Sequence, residues 1–398
     1  MREIPKIISV DDHVVEPADV WQRWLPEKYR DAGPKVVRRG IAGIDYVGTA
    51  NYKEHFDDSS PNKVDCWIYG DLVYTHKRMV AAAGYPVEEM TLTPITYDDM
   101  RPGCYDKTAR LADMDVSHVE ASMCFPTFPR FCGQTFYEGK DKELGLACVK
   151  AYNDWMVEEW CADTGGRLIP LTIIPLWDVE AAVAEIERNA ARGVHAVCFS
   201  ELPYHLRLPT IHSGYWDPFF KACAENEVVL SMHIGSSSTM AGASPDAPPS
   251  VSASLAAGGA MASMVDWMMS GILVKNPELK LLYAESQIGW IPYILQRIDQ
   301  VWEDNQAWGQ TKHIPEPPST YFHRQIYSCF INDPHGVDSI DEIGVENVMV
   351  ETDYPHSDST WPNTQPIVTK IVEDLDDETV YKITRGNAIK LLHLDFDK

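Results

Sequence analysis

The sequence lacks long hydrophobic runs and paired-cysteine motifs. No stretch approaches the roughly 18 consecutive apolar residues of a transmembrane helix, and the first residues, MREIPKIISVDDHVVEP, lack the extended apolar region of a secretory signal. The nine cysteines are scattered and include no C-x-x-C pair, a distribution typical of proteins in a reducing compartment. We therefore expect a cytoplasmic protein with no membrane partner and no disulfide framework.

Basic residues are also scarce. The 398 residues include 34 Lys and Arg against 59 Asp and Glu, which gives a formal net charge of −25. Nucleic acids and anionic membranes repel a chain of this charge, so neither is an expected partner. The apolar fraction of 45% and the charged fraction of 23% are typical of a globular protein that buries a large core.

Common motifs of nucleotide binding and of serine catalysis are missing. The sequence contains no G-x-G-x-x-G after a predicted strand and no G-x-x-x-x-G-K-[ST] loop, so nothing indicates a nucleotide site. It contains no G-x-S-x-G elbow either, so a serine hydrolase of that type is not indicated. Internal repeats and low-complexity tracts are absent as well.

Eight short apolar segments, bounded by turn residues, predict strands. They are Ile7–Val10, Val119–Pro126, Leu168–Leu176, His195–Ser200, Val228–Ile234, Leu279–Ser286, Ile326–Asn332 and Asn347–Pro355. Apolar residues spaced three and four apart predict helices between them. The predicted helices cover Lys142–Asp163, Val179–Arg192, Trp216–Asn226, Ala253–Leu273, Ile288–Asn305 and Asp376–His393.

This order of elements indicates the fold class. Strands that alternate with helices pair in parallel through right-handed crossovers, and eight such units predict an α/β fold, a (β/α)8 TIM barrel. We interpret residues 1–398 as a single barrel domain with an inserted segment between strands one and two, at about 26–110. A long small-residue loop at 236–252 follows strand five and is expected at the active site. Either segment could serve as a lid or as an interface.

The first and fourth predicted strands end in candidate metal ligands, at the edge where such barrels place their active sites. Asp11 and His13 end strand one and point the same way, because side chains alternate along a strand. Two metal-binding side chains on one face make half of a metal site; a turn with surface acids is the alternative. Glu201 follows strand four, where it could approach a metal or remain a solvent-facing loop acid.

The later strands add candidates at the same edge. His233 lies in an otherwise apolar strand five, where a histidine must find a partner or stay neutral; a structural histidine is the alternative. Asp353 ends strand eight, where a carboxylate can bind a metal and carry a proton; an acid-rich turn is the alternative. Glu285, His356 and His212 are candidates for contacts with the substrate.

Taken together, these positions predict a divalent-metal site at the barrel mouth. Asp11, His13, His233 and Asp353 place nitrogen and oxygen donors at the same end of strands one, five and eight, and Glu201 is an additional candidate ligand. Mixed imidazole and carboxylate donors make zinc the first candidate and manganese or iron the alternatives, with an open position for water or substrate. Cysteine is missing from the set, which argues against a closed structural zinc.

Six motifs carry a resemblance to a known family. They are DDHVVEP at 11–17, SELP at 200–203, IHSGYWDP at 211–218, MHIGSSS at 232–238, AESQIGWIPYIL at 284–295 and ETDYPHSDSTWP at 351–362. Together they resemble the amidohydrolase-related branch of the amidohydrolase superfamily, which includes aminocarboxymuconate-semialdehyde decarboxylase and related aromatic-acid decarboxylases. The resemblance runs from about residue 5 to the closing helix ITRGNAIKLLHLD at 383–395.

The resemblance implies a distorted (β/α)8 barrel that holds one or two divalent metals. The ligands it implies are Asp11, His13, His233 and Asp353. The chain departs from the family pattern at strand one, which has Asp11-x-His13 where His-x-His is common. Glu285 stands where many members place a histidine, and Glu201, not a lysine, lies near the position of a carboxylated lysine in binuclear members. These departures argue against standard amide hydrolysis.

The leading functional hypothesis is a metal-dependent hydrolase or carboxy-lyase (decarboxylase) that acts on a small carboxylated or amide substrate. His233 would hold the metal and Asp353 would carry the proton. His212, His356 and Glu285 would contact the substrate.

Two other hypotheses remain open at this stage. One is a non-haem iron-dependent oxygenase on the same scaffold, in which Glu201 would support a second metal. The other is a zinc-binding partner subunit that supports a catalytic sister chain, suggested by the missing histidine at strand six. The resemblance also suggests a homo- or hetero-oligomer.

Overall fold

The barrel strands and a separate antiparallel sheet account for the strands of the protein. A computed structural model describes residues 2–48 and 51–396. Its strands are β1 (Ile7–Val14), β2 (Lys35–Gly48), β3 (Asn51–Phe56), β4 (Lys63–Tyr69), β5 (Leu72–Thr75), β6 (Val119–Pro126), β7 (Leu168–Ile169), β8 (Ala196–Cys198), β9 (Val229–His233), β10 (Leu281–Ala284), β11 (Ile326–Phe330) and β12 (Val348–Val350). The eight predicted strands correspond to β1 and β6–β12.

Two parallel sheets close into the predicted barrel. One has the order β1-β6-β7 and the other the order β12-β11-β10-β9-β8. A parallel bridge between Thr172 and Val197 joins the sheets on one side. On the other side the Asp353 N–H donates to the Asp11 carbonyl at 3.0 Å. The (β/α)8 TIM barrel predicted from the sequence is confirmed.

Helices connect consecutive barrel strands, as the apolar spacing predicts. The α-helices are Val20–Trp24, Glu27–Arg30, Lys107–Val116, Gln134–Glu138, Lys142–Trp155, Val179–Ala190, Asp217–Glu225, Pro249–Ser254, Gly258–Met269, Ile272–Lys275, Ile291–Asp304, Pro318–Gln325, Pro334–Asp338, Ile340–Ile343, Thr364–Ile371, Asp377–Tyr381 and Asn387–Leu391. The predicted helix at 253–273 is divided, in part because Gly271 adopts a φ of +76°, which favours glycine. Within the described residues, no helix has both the length and the hydropathy required to span a membrane.

The segment between β1 and β6 contains a four-stranded antiparallel sheet with the order β3-β2-β4-β5. Trp67 on β4 stacks on Phe128, which follows β6, with ring centroids 4.8 Å apart, and meets Trp21 edge-on at 5.1 Å. These buried aromatic contacts fasten the sheet to the loop after β6. The interpretation of residues 26–110 as an insertion into a single domain stays a prediction.

The end of β1 is polar although every residue of the strand is buried. The pairing of β1 with β6 is irregular between Ser9 and Asp12. The side chains at this end of the strand have different functions. Asp11 and His13 enter the barrel mouth, whereas Asp12 bonds the neighbouring strands. Its carboxylate accepts from the Ser122 hydroxyl on β6, from the Thr352 hydroxyl at 2.5 Å and from the Tyr354 N–H at 2.9 Å.

These bonds make Asp12 a clamp that joins β1 to β6 and to the chain after β12. Burial raises the pKa of Asp12, while the Arg110 charge and the three donors oppose that rise. The buried acid therefore serves as a shared acceptor for strands that are distant in sequence.

Replacing Asp12 with alanine should lower the free energy of unfolding by about 3 kcal/mol, because two hydroxyls and one N–H lose their buried acceptor. Asp12→Asn keeps an acceptor oxygen and should cost less. Urea unfolding monitored by circular dichroism measures both changes. Asp341→Ala, at an exposed acid, is the matched control. If the Asp12→Ala protein were as stable as this control, Asp12 would not stabilise the contacts of β1 with its neighbours.

Candidate metal centre

Six side chains from four barrel strands or their following loops meet at the C-terminal mouth of the barrel. They are Asp11, His13, His233, Glu285, Asp353 and His356. Asp11 and His13 come from β1 and His233 is the last residue of β9. The other three follow β10 and β12. The structure thus brings together the four ligands predicted from the strand ends, with two residues predicted to contact substrate.

His13 and His233 lie at the middle of the cluster. His13 Nε2 is 3.2 Å from His233 Nε2, 3.3 Å from Asp353 Oδ1 and 3.6 Å from Asp11 Oδ1. His233 Nε2 is 3.0 Å from Glu285 Oε2 and 3.5 Å from Asp11 Oδ2. His356 Nδ1 is 2.9 Å from Asp353 Oδ1. These separations of 3.0 to 3.6 Å between His13 or His233 and the carboxylates are compatible with donor atoms around a shared metal ion.

Two overlapping sets of four donors have ligand atoms within 4.8 Å of one another. The first set is Asp11, His13, His233 and Glu285. The second set is His13, Glu285, Asp353 and His356. Imidazole nitrogen and carboxylate oxygen are the donors that zinc, manganese and iron accept in proteins.

Several buried carboxylate oxygens of the cluster lack hydrogen-bond donors. Both oxygens of Asp11 and Oδ2 of Asp353 have no hydrogen-bond partner in the described residues, while Asp353 Oδ1 lies 2.9 Å from His356 Nδ1. Burial of an unpartnered carboxylate is costly, so such groups are normally paired or bind a metal. The residues present therefore fit a divalent cation.

Burial and neighbouring charges shift the proton affinities of the cluster. Burial raises the pKa of Asp11 well above its ordinary value, and the charges of Glu351, Asp353 and Glu285 add to that rise. Burial lowers the pKa of His13 well below its ordinary value, with His356 and His233 adding to the effect, which favours the neutral imidazole that a metal ligand requires. Excess negative charge in a dry site is the condition that a cation relieves.

Neighbouring groups fix the His233 imidazole and the backbone of His13. His233 Nδ1 donates to the Ile234 carbonyl at 2.6 Å, which turns Nε2 toward the cluster. Phe131 stacks on the His233 ring with centroids 4.1 Å apart. The buried Arg110 guanidinium donates to the His13 carbonyl and, through Nε, to the Gly103 carbonyl at 2.7 Å. The His233 ring and the His13 backbone are therefore held in place by contacts within the protein.

Glu351 is a buried acid at this site to which the sequence assigned no role. Its Oε2 accepts from the Glu285 N–H at 3.0 Å and from the Cys329 thiol at 2.6 Å, while Oε1 has no partner in the described residues. Burial raises the pKa of Glu351 to about 8. The sequence contains a pattern that could have predicted this position. Glu351 and Asp353 are two residues apart, with the same spacing as Asp11 and His13.

Two of the ligand-bearing residues have an unusual backbone. Glu285 has a φ of +54° and Asp353 a φ of +50°. Non-glycine residues seldom adopt this left-handed conformation, and it concentrates at functional sites where surrounding contacts enforce it. At both positions the chain turns as it leaves its strand.

Two predicted residues lie outside both donor sets. Glu201 Oε1 accepts from the Gly235 N–H at 2.9 Å and from the Ser237 hydroxyl at 3.1 Å, so its carboxylate supports the loop after β9. His212 is half exposed and its Nε2 lies 2.6 Å from Asp266 Oδ1 at the surface. The structure does not place Glu201 among the ligands or His212 at the cluster.

Comparison with known proteins agrees with the fold. A family model described as Amidohydrolase matches residues 19–394. The 2-amino-3-carboxymuconate-6-semialdehyde decarboxylase of Caenorhabditis elegans is 24% identical over 355 residues, which cover 74% of this chain and 83% of that protein.

Two solved structures share the architecture over nearly their whole length. An amidohydrolase from Mycobacterium avium subsp. paratuberculosis is 20% identical with a TM-score of 0.71, and the match covers 98% of this chain and 100% of that one. The 5-carboxyvanillate decarboxylase of Novosphingobium aromaticivorans, solved with manganese and 4-hydroxy-3-methoxy-5-nitrobenzoic acid, is 16% identical with a TM-score of 0.65 and coverage of 98% and 96%. Because the family model matches almost the entire chain, this protein belongs to the amidohydrolase family.

Proposed function

We propose that the protein is a metal-dependent carboxy-lyase that removes CO₂ from a small carboxylic acid. The observation that carries this proposal is the buried cluster of histidine and carboxylate donors at the barrel mouth, in which both oxygens of Asp11 and Oδ2 of Asp353 have no hydrogen-bond donor among the described residues. The decarboxylase relatives favour loss of CO₂ over hydrolysis.

Asp11, His13, His233 and Asp353 are the residues proposed to hold the metal. When bound, a divalent metal would supply a Lewis acid that binds and polarises an oxygen of the substrate. Zinc is the metal predicted from the sequence, and manganese, present in the Novosphingobium decarboxylase, is the main competitor. Elemental analysis of the purified protein distinguishes them.

Asp353 is the group proposed to carry the proton. In a decarboxylation the bond between the ring or vinyl carbon and the carboxylate carbon breaks, its electron pair stays on the substrate carbon, and that carbon takes a proton. Asp353 is fully buried, and His356 Nδ1 lies 2.9 Å from its Oδ1. Although burial opposes the charged imidazolium, the Asp353 charge raises the pKa of His356 overall, so His356 can return a proton to Asp353.

Aromatic side chains line the cluster and suit a flat, unsaturated substrate. Phe131 stacks on His233, and Phe125 meets the same ring edge-on with centroids 5.1 Å apart. These rings exclude water, which strengthens charge interactions at the reacting carbon. We therefore propose small hydroxylated aromatic acids and unsaturated dicarboxylic acids as the substrate class.

The other hypotheses receive less support. Neither the relatives named above nor the family description points to an oxygenase. A role as a zinc-binding partner subunit, and assembly into an oligomer, stay predictions.

Removing metal with a chelator should abolish turnover and lower the melting temperature, because the buried carboxylates then repel one another without a counter-ion. Zinc or manganese, returned at a concentration 1,000 times the dissociation constant, should raise the free energy of unfolding by about 4 kcal/mol. Thermal unfolding followed by fluorescence measures the change. Calcium is the control, since imidazole donors favour transition metals, and a melting temperature unaffected by any transition metal would refute the metal site.

The Asp353→Asn variant should lose at least about 100-fold in kcat, the usual scale of a missing proton carrier. The measurement is CO₂ release from a panel of the proposed acids, with metal content determined on the same samples to separate loss of metal from loss of the proton. Asp266→Asn, at an exposed acid paired with His212, is the matched control. Normal turnover by Asp353→Asn would exclude the proposed proton transfer.

Glu201, which lies outside both donor sets, should make the stability of the protein depend on pH. Burial raises the pKa of Glu201 from 4.5 to about 7. The unfolded chain releases this proton near pH 4.5 and the folded chain near pH 7, so the carboxylate lowers stability as the pH rises through this window.

Glu201→Gln should therefore become more stable than the wild type as the pH increases from about 5 to about 8, by up to roughly 3 kcal/mol. Urea unfolding at a series of pH values gives the difference, and the variant should keep its metal content. Glu303→Gln, at an exposed acid, should leave the pH dependence unchanged. Parallel pH profiles for the wild type and Glu201→Gln would show that burial does not hold the proton on Glu201.

A further inference from the structure

We infer that Glu16 and Gln134 are positioning residues that hold the turn at residues 127–134, so that the ring of Phe131 forms a surface on which the aromatic ring of a substrate packs. This inference rests on the proposed function and adds to it the residues that favour a flat, aromatic acid over an acid without a ring. Neither Glu16 nor Gln134 belongs to the two donor sets of the metal centre.

Phe131 differs from Phe125, the other phenylalanine described in contact with His233, because a substrate can reach it. The Phe131 ring lies nearly parallel to the His233 ring, at an interplanar angle of 11° and with centroids 4.1 Å apart, and the residue is partly exposed. Phe125 contacts the same imidazole but is fully buried. Pairs of aromatic rings stabilise a contact beyond the area that they bury, so a substrate ring at the barrel mouth would pack on Phe131.

The turn that carries Phe131 has an unusual backbone. Residues 127–133 belong to neither a helix nor a strand, and Arg130, which precedes Phe131, has a φ of +60°. Non-glycine residues seldom adopt this left-handed conformation unless surrounding contacts enforce it. The position of the Phe131 ring therefore depends on contacts at the two ends of the turn.

Glu16 provides the contacts at the start of the turn. Its carboxylate accepts from the Thr127 N–H through Oε1 at 3.0 Å and from the Phe128 N–H through Oε2 at 2.9 Å. Glu16 is fully buried, and a buried carboxylate is costly unless hydrogen bonds satisfy it, so the acid and the two N–H groups stabilise one another. The Thr127 hydroxyl also donates to the Val14 carbonyl at 2.8 Å. The start of the turn is thus bonded to the end of β1.

Gln134 provides the contacts at the end of the turn. Its side chain is fully buried. Its Oε1 accepts from the Cys132 N–H at 2.8 Å, and its Nε2 donates to the Ser236 carbonyl at 2.9 Å. Ser236 follows His233 by three residues, so Gln134 joins the turn to the loop after β9. Phe131 is therefore held between one anchor at β1 and a second anchor at β9.

The test compares the binding of an acid that has a ring with that of an acid that has none. Dissociation constants of 2-hydroxybenzoate and of malonate are measured by calorimetry on the protein as purified, together with its metal content. Malonate offers carboxylates to a metal but has no ring to pack on Phe131. We expect Phe131→Leu, Glu16→Gln and Gln134→Leu each to weaken the binding of 2-hydroxybenzoate about fivefold, the scale of one aromatic pair. Malonate binding and metal content should stay unchanged.

A double variant tests whether Glu16 acts through Phe131. Because the anchor affects binding only while the ring is present, Glu16→Gln combined with Phe131→Leu should bind 2-hydroxybenzoate as Phe131→Leu alone does. A further loss in the double variant would overturn the positioning role. Glu185→Gln is the matched control, since Glu185 is also buried and its carboxylate accepts from the Asn153 side chain at 2.9 Å. This control should bind both acids as the wild type does.

Four other outcomes are decisive. Wild-type binding of 2-hydroxybenzoate by both Glu16→Gln and Gln134→Leu would overturn the positioning role, and so would an equal loss of malonate binding, which indicates a general loss of structure at the mouth. A wild type that does not bind 2-hydroxybenzoate would overturn the aromatic surface. Binding without release of CO₂ from any acid of the panel would overturn the proposed function and leave the surface as a site for aromatic acids. Should Glu16→Gln fail to fold, Gln134→Leu with Phe131→Leu makes the same comparison.

Discussion

Uncompensated negative charge, buried at the mouth of a closed barrel, is the constraint on which the site depends. Asp11, Glu285 and Asp353 converge there, and their contacts include imidazole rings but no lysine or arginine among the described residues. The strand ends cannot separate to relieve the repulsion, because Asp12 bonds β1 to both of its neighbours and Arg110 holds the His13 carbonyl from outside. The scaffold thus holds an arrangement that is unfavourable without a cation, and this links folding to metal binding.

Much of the fold could be predicted because parallel strands are buried on both faces and appear as continuous apolar runs. The segment Val119–Pro126 was predicted with its observed bounds. The segment Leu168–Leu176 was predicted as one strand, but the continuous strand is only Leu168–Ile169, since the proline at position 170 has no N–H to donate to a neighbour. Thr172 pairs again, as an isolated bridge to Val197. The order of the strands could be predicted from the alternation of strands and helices. The residue at which each strand ends could not, because it depends on turns that apolar patterns do not describe.

The site was predictable where a side chain projects directly from a strand. Alternation along β1 and the single histidine of β9 were enough to select Asp11, His13 and His233. The contribution of Glu285 depends on a left-handed backbone that no pattern indicates. The role of Glu201 stays a prediction for a related reason: Oε1 of its carboxylate accepts from N–H and hydroxyl donors of the loop after β9, and loop conformation follows from tertiary contacts that sequence patterns do not describe.

The antiparallel sheet between β1 and β6 has a consequence for how enzymes on this scaffold can diverge. Through Trp67 it packs on Phe128, and three residues later the same loop presents Phe131 to the His233 ring. The aromatic ring on His233 is thereby braced by a sheet whose described residues contribute no side chain to the cluster. Mutations in this sheet can shift Phe131 while the charged groups at the strand ends stay in place, so changes in substrate preference and retention of the chemistry can act on separate parts of the chain.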